Sequence, residues 1–184
     1  MNLNKFTQRS IDAITYAQQM AQAEQHPQVT PEHLMVALLK QEDGLIPQVI
    51  KKSGADFDRI FDETTDALAL LPKQSGGQLY PSQELTQVFF KAEGELKQFK
   101  DEYVSVEHLL LGLLEVKSKA QEILKRNGVK RDELLKTLTS IRGKSRVTDA
   151  DPESKYAVLE KYSRDLTQMA REGKLDPVIG RGDE

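Results

Sequence analysis

The sequence predicts an all-α protein made of two copies of one four-helix unit that pack into one compact helical domain. The segment at 29–39 recurs at 104–114, and six of the eleven aligned positions are identical. Apolar residues recur at three- and four-residue spacing, and helix start and stop signals separate these stretches. No stretch shows the strict alternation of apolar and polar residues that a half-buried strand requires. We therefore expect no strand.

The repeat unit is about 75 residues long. VTPEHLMVALL at 29–39 aligns with VSVEHLLLGLL at 104–114 at an offset of 75. QVIKKSGADFDRI at 48–60 aligns with EILKRNGVKRDEL at 122–134 at an offset of 74, which places Gly54 over Gly128. These matches define repeat one as 3–71 and repeat two as 81–141. Paired glycines and flanking prolines make the loop at 72–81 the hinge between them.

Each unit carries the same signals for the start and the end of its helices. Hydroxyl side chains that can accept a hydrogen bond from the first helical turn stand at Thr7, Thr30, Ser82 and Ser105. Cations precede Gly54 and Gly128, which suits the last turn of a helix followed by a residue in left-handed geometry. Glu32 and Glu107 fall near the positive helix ends.

Composition limits the classes of function. The 184 residues include no cysteine, which excludes disulfides and thiolate metal sites. Lys and Arg number 26 against 29 Asp and Glu, for a net charge of −3, so nothing favours a nucleic-acid partner. No apolar run is long enough for a membrane span or a signal peptide. We expect a soluble, cytoplasmic protein without a membrane partner.

The chain changes character after Ile141. Residues 142–154, RGKSRVTDADPES, are polar and charged, which is typical of a flexible linker. From 155 to 172 a helical pattern resumes, with its apolar positions at Leu159, Tyr162, Leu166, Met169 and Ala170. We expect a compact helical domain over 1–141, a linker, and a separate helix over 155–172.

The sequence offers no catalytic or metal site. His33 and His108 follow glutamates at equivalent repeat positions, but they lie outside any H-E-x-x-H pattern, and helix-start packing explains their repetition better than metal binding. Asp101, Glu102 and Glu107 cluster without an evident cleft. A small hydrolase is disfavoured because no nucleophile, base and oxyanion donor come together. G-x-x-x-x-G-K-[ST] does not occur, so we expect no ATP hydrolysis, cofactor or metal in this segment.

Three strings carry a resemblance to a known family. They are the T/S-x-E-H-L helix opening in each copy, LPKQSGGQLYPSQEL at 71–85, and LEKYSRDLTQMAREGKLDPVIGR at 159–181. They resemble the N-terminal (Clp N) domain of ClpB-type Hsp100 disaggregases, followed by a linker and, over 155–184, the start of the first AAA+ module. The ending GRGDE departs from the GRDEE usual in that family.

The resemblance implies a parent that is a homo-hexameric chaperone driven by ATP and Mg²⁺, works with the Hsp70 system and threads aggregated proteins through a pore. The N-terminal domain would bind exposed apolar segments of unfolded or aggregated proteins. The alternative is an adaptor-binding N-domain of a ClpC- or ClpA-type unfoldase linked to a protease. A free-standing accessory protein made only of the double repeat is disfavoured by the string at 159–181.

The predicted site for such segments lies on the first helix of repeat two and on the loop that follows it. The resemblance implies roles there for Thr7, Asp101 and Glu107. Aromatic residues alternate with charges from Phe99 to Tyr103, beside an apolar stripe, and together these features predict a groove with a charged rim. The affinity should be weak, on the order of 10 to 100 μM. The complete predicted set is Thr7, Leu85, Val88, Phe89, Phe99, Asp101, Tyr103 and Glu107.

Overall fold

The computed structural model describes residues 3–74, 76–143 and 150, and helices dominate it. A short 3-10 helix (Leu3–Lys5) opens the chain. Repeat one contains α1 (Gln8–Ala23), α2 (Pro31–Leu39), α3 (Leu45–Lys52) and α4 (Phe57–Ala69). Repeat two contains α5 (Gln83–Phe99), α6 (Val106–Glu115), α7 (Lys119–Arg126) and α8 (Arg131–Arg142). The predicted all-α fold of two four-helix repeats is confirmed.

The helix ends follow the predicted signals. The hydroxyls of Thr7, Thr30 and Ser82 each accept a backbone N–H from the first turn of their helix. Ser105 forms a capping box with His108, and its hydroxyl also donates to the carboxylate of Glu107. Gly54 and Gly128 adopt φ angles of 90° and 92°, the left-handed geometry that favours glycine after α3 and α7.

The core is centred on α2 and α6, the second helices of the two repeats. Every residue of α2 is buried, and in α6 the buried run covers 106–114. A helix buried on all sides needs apolar residues around its whole circumference, which explains the Leu-rich strings found twice in the sequence. Buried residues of both repeats join in a single apolar cluster, so the two units form one domain.

Two short backbone pairings join the repeats reciprocally. Strand β1 (Gln28–Val29), just before α2, lies parallel to β2 (Tyr80–Pro81), just before α5. Phe6, just before α1, pairs in parallel with Val104, just before α6. The expectation of no strand was wrong for β1 and β2. These segments have two residues each, too few to show an alternating pattern.

The end of α8 lies one residue beyond the predicted domain boundary. Arg142, predicted as the first linker residue, is the last residue of α8, and its side chain is buried. Of the predicted linker, only Arg142, Gly143 and Ala150 are described, and the predicted helix at 155–172 lies outside the described residues. The carbonyl of Ala150 accepts the N–H of Gln8 at 2.7 Å. None of the described helices is long and apolar enough to cross a bilayer.

Candidate functional site

A groove of about 270 Å³ lies between α1 and α5. Helix α1 contributes Ile14, Ala17 and Gln18 to its lining, and α5 contributes Leu85 and Phe89. Residues from α2, β1 and the loop before α5 complete the lining. Most of these side chains are apolar; Ile14, Leu85 and Phe89 are buried at its floor, whereas Gln18 and Pro81 are exposed at its rim. We call it the apolar groove.

The predicted stripe on α5 divides between two faces of that helix. Leu85 and Phe89 are four residues apart and both face the apolar groove. Val88 has no exposed surface and lies against α6, where Gly112 allows the two helices to approach closely. Val88 therefore cannot touch a ligand in the apolar groove and acts through packing.

The predicted acidic residues belong to a buried ionic network at the start of α6. The carboxylate of Asp101 lies 2.7 Å from Nη2 of Arg142 and 2.8 Å from Nε2 of His108. Oε2 of Glu107 lies 3.3 Å from Nη1 of Arg142. The side chains of Asp101, Glu107 and His108 are fully buried, and that of Arg142 is 5% exposed. Removing one member would leave an uncompensated buried charge.

His108 links this network to the backbone. The N–H of Ser105 donates to Nδ1 of His108 at 2.8 Å, so the ring proton sits on Nε2 and is donated to Asp101. The side chains of Ser105, His108 and Asp101 thus form a chain of polar contacts in the same order as in a hydrolase triad. However, the Ser105 hydroxyl is buried and donates to Glu107, so this serine presents no nucleophile to a substrate.

The other predicted residues surround the network. Thr7 has no exposed surface, and its N–H donates to the carbonyl of Val104 at 2.9 Å. The half-buried Phe99 ring packs edge-on against His108, with ring centroids 5.5 Å apart, and lies 5.5 Å from the guanidinium of Arg142. Tyr103 is half-buried in the loop between α5 and α6. Of the eight predicted residues, two line the apolar groove (Leu85 and Phe89), two belong to the network (Asp101 and Glu107), one packs against it (Phe99), and three belong to neither (Thr7, Val88 and Tyr103).

A chain of contacts joins the network to the apolar groove. Val104, directly before Ser105, pairs with Phe6 and accepts a hydrogen bond from the hydroxyl of Ser10 at 3.0 Å. The Phe6 ring meets the Phe89 ring edge-on, with centroids 6.1 Å apart. The segment before α6 thus holds the start of α1 in place, and α1 forms one wall of the apolar groove.

At the positions equivalent to Asp101 and His108, repeat one has two histidines, His26 and His33. Nδ1 of His33 accepts the N–H of Thr30 at 2.9 Å, and its Nε2 lies 2.8 Å from Nδ1 of His26. Burial lowers the pKa of His33 to about 4 and also lowers the pKa of His26, so both rings are neutral at pH 7. The helix-start interpretation of His33 and His108 is confirmed. Within the described ranges, no group of three or more potential ligands is placed to hold a metal ion.

Sequence reasoning missed Arg142 and the α1 wall of the apolar groove. The spacing of Ile14, Ala17 and Gln18 gave a signal, because these positions share one side of an amphipathic helix. Arg142 gave none, because a cation at a helix end is ordinarily solvated.

The helices, the apolar groove and the ionic network define a duplicated helical domain, and comparison with known proteins identifies its family. Residues 5–154 match the Clp repeat (R) N-terminal domain family, and the chain belongs to that family. Chaperone protein ClpB 1 of Thermosynechococcus vestitus is 42% identical over 184 residues, a match that covers 100% of this chain and 21% of the relative. ClpB of Bdellovibrio bacteriovorus is 38% identical over 181 residues, covering 97% of this chain and 21% of the relative. The chain thus spans about a fifth of the length of these curated relatives.

Solved structures show the same fold. The Hsp104 N-terminal domain from Candida albicans superposes with a TM-score of 0.72 at 25% identity, covering 81% of this chain and 99% of that one. The N-domain of ClpV from Vibrio cholerae gives a TM-score of 0.65 at 21% identity, covering 79% of this chain and 90% of that one. At that identity the second likeness concerns the fold alone.

Proposed function

We propose that this chain is the N-terminal part of a ClpB-type disaggregase and that its apolar groove binds exposed apolar segments of unfolded or aggregated proteins. The observation that carries the proposal is a solvent-open apolar groove in a domain whose relatives over its whole length are ClpB chaperones. The parent would be a homo-hexamer that uses ATP and Mg²⁺ and works with the Hsp70 system. ATP hydrolysis would belong to its AAA+ modules, and the soluble parent would act in the cytoplasm.

The size of the apolar groove sets the expected affinity. A volume of about 270 Å³ accommodates two or three apolar side chains against Ile14, Leu85 and Phe89. Burying each such side chain contributes about 1.5 to 3 kcal/mol, and association costs several kcal/mol. The net binding free energy is then at most about 5 kcal/mol, so the dissociation constant should be on the order of 0.1 to 1 mM, weaker than the 10 to 100 μM expected from the sequence. Weak binding suits a domain that must release what it captures.

Thr7, Asp101 and Glu107 act in this proposal as positioning residues. Each is buried, so none contacts a client segment in this conformation. Thr7 joins the start of α1 to Val104, whereas Asp101 and Glu107 join the start of α6 to Arg142 at the end of α8. Phe6, which pairs with Val104, contacts Phe89 in the groove. Loss of any of the three should displace the α1 wall and weaken client binding without removing a direct contact. Phe99 packs against His108 and Arg142 of the network, and Tyr103 lies half-buried in the loop between α5 and α6.

The test is an amide NMR titration of the chain with an unfolded apolar peptide. Shifts should appear along 14–22 and 85–89. Gln18→Trp, which places a bulky ring in the groove, should abolish them. Gln19→Trp on the same helix is the matched control, because Gln19 is also exposed but does not line the groove. Shifts confined to 99–107 would place the site at the network instead, and no shifts at millimolar peptide would refute the proposed function.

A further inference from the structure

The apolar groove does not end at the last turn of α1. At Gln22 and Leu79 it continues into a second, polar groove of about 820 Å³. Five glutamines line this continuation, Gln22, Gln25, Gln28, Gln74 and Gln78. We call it the amide groove.

The amide groove is held in shape by hydrogen bonds across and along its walls. One wall is the end of α1 and the turn that follows, and the other is the loop between the repeats. The N–H of Gln74 donates to the carbonyl of Gln25 at 2.7 Å, which ties the two walls together. The hydroxyl of Tyr80 donates to Oε1 of Gln78 at 2.8 Å. Gly76 and Gly77 have φ angles of 77° and 87°, so the loop needs glycine at both positions.

Among the residues that the structure describes, neither groove is lined by a charged side chain. Charged residues make up 30% of the chain, yet no described Asp, Glu, Lys or Arg lines the apolar groove or the amide groove. His26, which lines the amide groove, is neutral at pH 7 because burial lowers its pKa. Glu24 and Lys73 lie close enough to act on His26, but their opposite charges oppose each other. A charged side chain placed in the amide groove would lose part of its hydration and find no opposite charge among the described lining residues.

We propose that the amide groove selects the residues next to the apolar anchor of a client segment. It favours extended segments in which large apolar side chains adjoin uncharged amide or hydroxyl side chains, and it discriminates against charged neighbours of either sign. A glutamine amide offers both a donor and an acceptor, so the groove can pair with Gln, Asn, Ser or backbone groups without a fixed register. This inference rests on the proposed function, because the apolar groove must first hold the anchor.

The test uses three dye-labelled peptides that share one apolar anchor and one length but differ in the flank: Gln, Asn and Ser only, Lys only, or Glu only. Fluorescence anisotropy should show the neutral flank binding about tenfold more tightly than both charged flanks, because the penalty is desolvation. Equal binding of all three would overturn the inference and leave the proposed function standing. A penalty for one sign alone would also overturn it, since the net charge of the chain would then explain the result. Binding of none would refute the proposed function itself.

A charge-introducing variant tests the location. Gln78→Glu keeps an acceptor for the Tyr80 hydroxyl and puts a carboxylate into the amide groove. It should strengthen binding of the Lys-flanked peptide several-fold and weaken that of the neutral peptide. Gln87→Glu on α5 is the matched control, because Gln87 is exposed and lines neither groove. If both variants changed the three affinities alike, the amide groove would not be the selecting surface.

Discussion

Gly112 on α6 marks a close approach of two helices, and adding a methyl group there should destabilise the domain. A β-carbon at Gly112 would lie 2.6 Å from the carbonyl oxygen of Val88 and 3.3 Å from the amide nitrogen of Ala92. Both are backbone atoms of α5, so no side-chain rotation relieves the contact and the helices must separate. Overpacking of this kind costs about 1 to 3 kcal/mol, and the better helix propensity of alanine returns about 0.5 to 1 kcal/mol. Gly112→Ala should therefore lower the free energy of unfolding by about 1 to 2 kcal/mol.

Gly94 on α5 supplies the control, because a β-carbon there meets no heavy atom within 4 Å. Gly94→Ala should raise the free energy of unfolding by about 0.5 to 1 kcal/mol through helix propensity alone. Urea unfolding followed by circular dichroism would compare both variants with the parent, with the m-value checked for constancy. Gly112→Ala as stable as Gly94→Ala would show that the close approach carries no energetic consequence. Repeat one has Ala37 at the equivalent position, so its helix pair already accommodates a methyl group.

Three further predictions concern buried polar groups. Because folding lowers the pKa of His33 from 6.5 to about 4, the unfolded chain takes up that proton first. Roughly 3 kcal/mol of stability, complete above pH 6.5, should be lost as the pH falls to 4, and an NMR titration that places the pKa of His33 near 6.5 would contradict this. Arg142→Ala should lower the free energy of unfolding by about 3 to 5 kcal/mol, because Asp101 and Glu107 would stay buried without their cation. If the effects of Arg142→Ala and Asp101→Ala were strictly additive in a double-mutant cycle, that result would argue against the network. Glu32→Ala should lower the free energy of unfolding by about 1 kcal/mol in urea, because it removes the acceptor for the N–H of Ala120 in the first turn of α7. Glu32→Gln keeps an acceptor and should unfold near the urea midpoint of the parent. Equal losses of stability in the two variants would refute this role of Glu32.

The helices and most of their caps could be predicted from the sequence because the interactions that form them are local. Thr30 and His33 are three residues apart, and Gly54 lies just past the end of its own helix. Ser105 caps α6 together with His108 as expected, but its second hydrogen bond, to Glu107, belongs to a network that includes Arg142 and that local spacing does not show. Arg142 contacts Asp101 from 41 positions away, a distance at which no spacing rule operates.

The candidate site was predicted only in part for a related reason. Leu85, Val88 and Phe89 all lie on the apolar side of α5, but α6 packs against one part of that side and the apolar groove runs along the other. Which residue faces which neighbour depends on the close approach at Gly112, a tertiary contact. Leu85 and Phe89 thus line the apolar groove while Val88 is sealed in the core.

The reciprocal pairings of the two repeats have a consequence for how the domain is held together. Val29 of the first repeat accepts the N–H of Ser82, and Val104 of the second accepts the N–H of Thr7, so each copy both gives and receives the same contact. A self-complementary homodimer interface has the same symmetry, but here both halves belong to a single polypeptide. A lone copy would carry both halves of the interface with neither one satisfied. Covalent tandem linkage makes the association of the two copies intramolecular and independent of protein concentration. The duplication therefore lets one chain bury an interface that would otherwise require two separate chains.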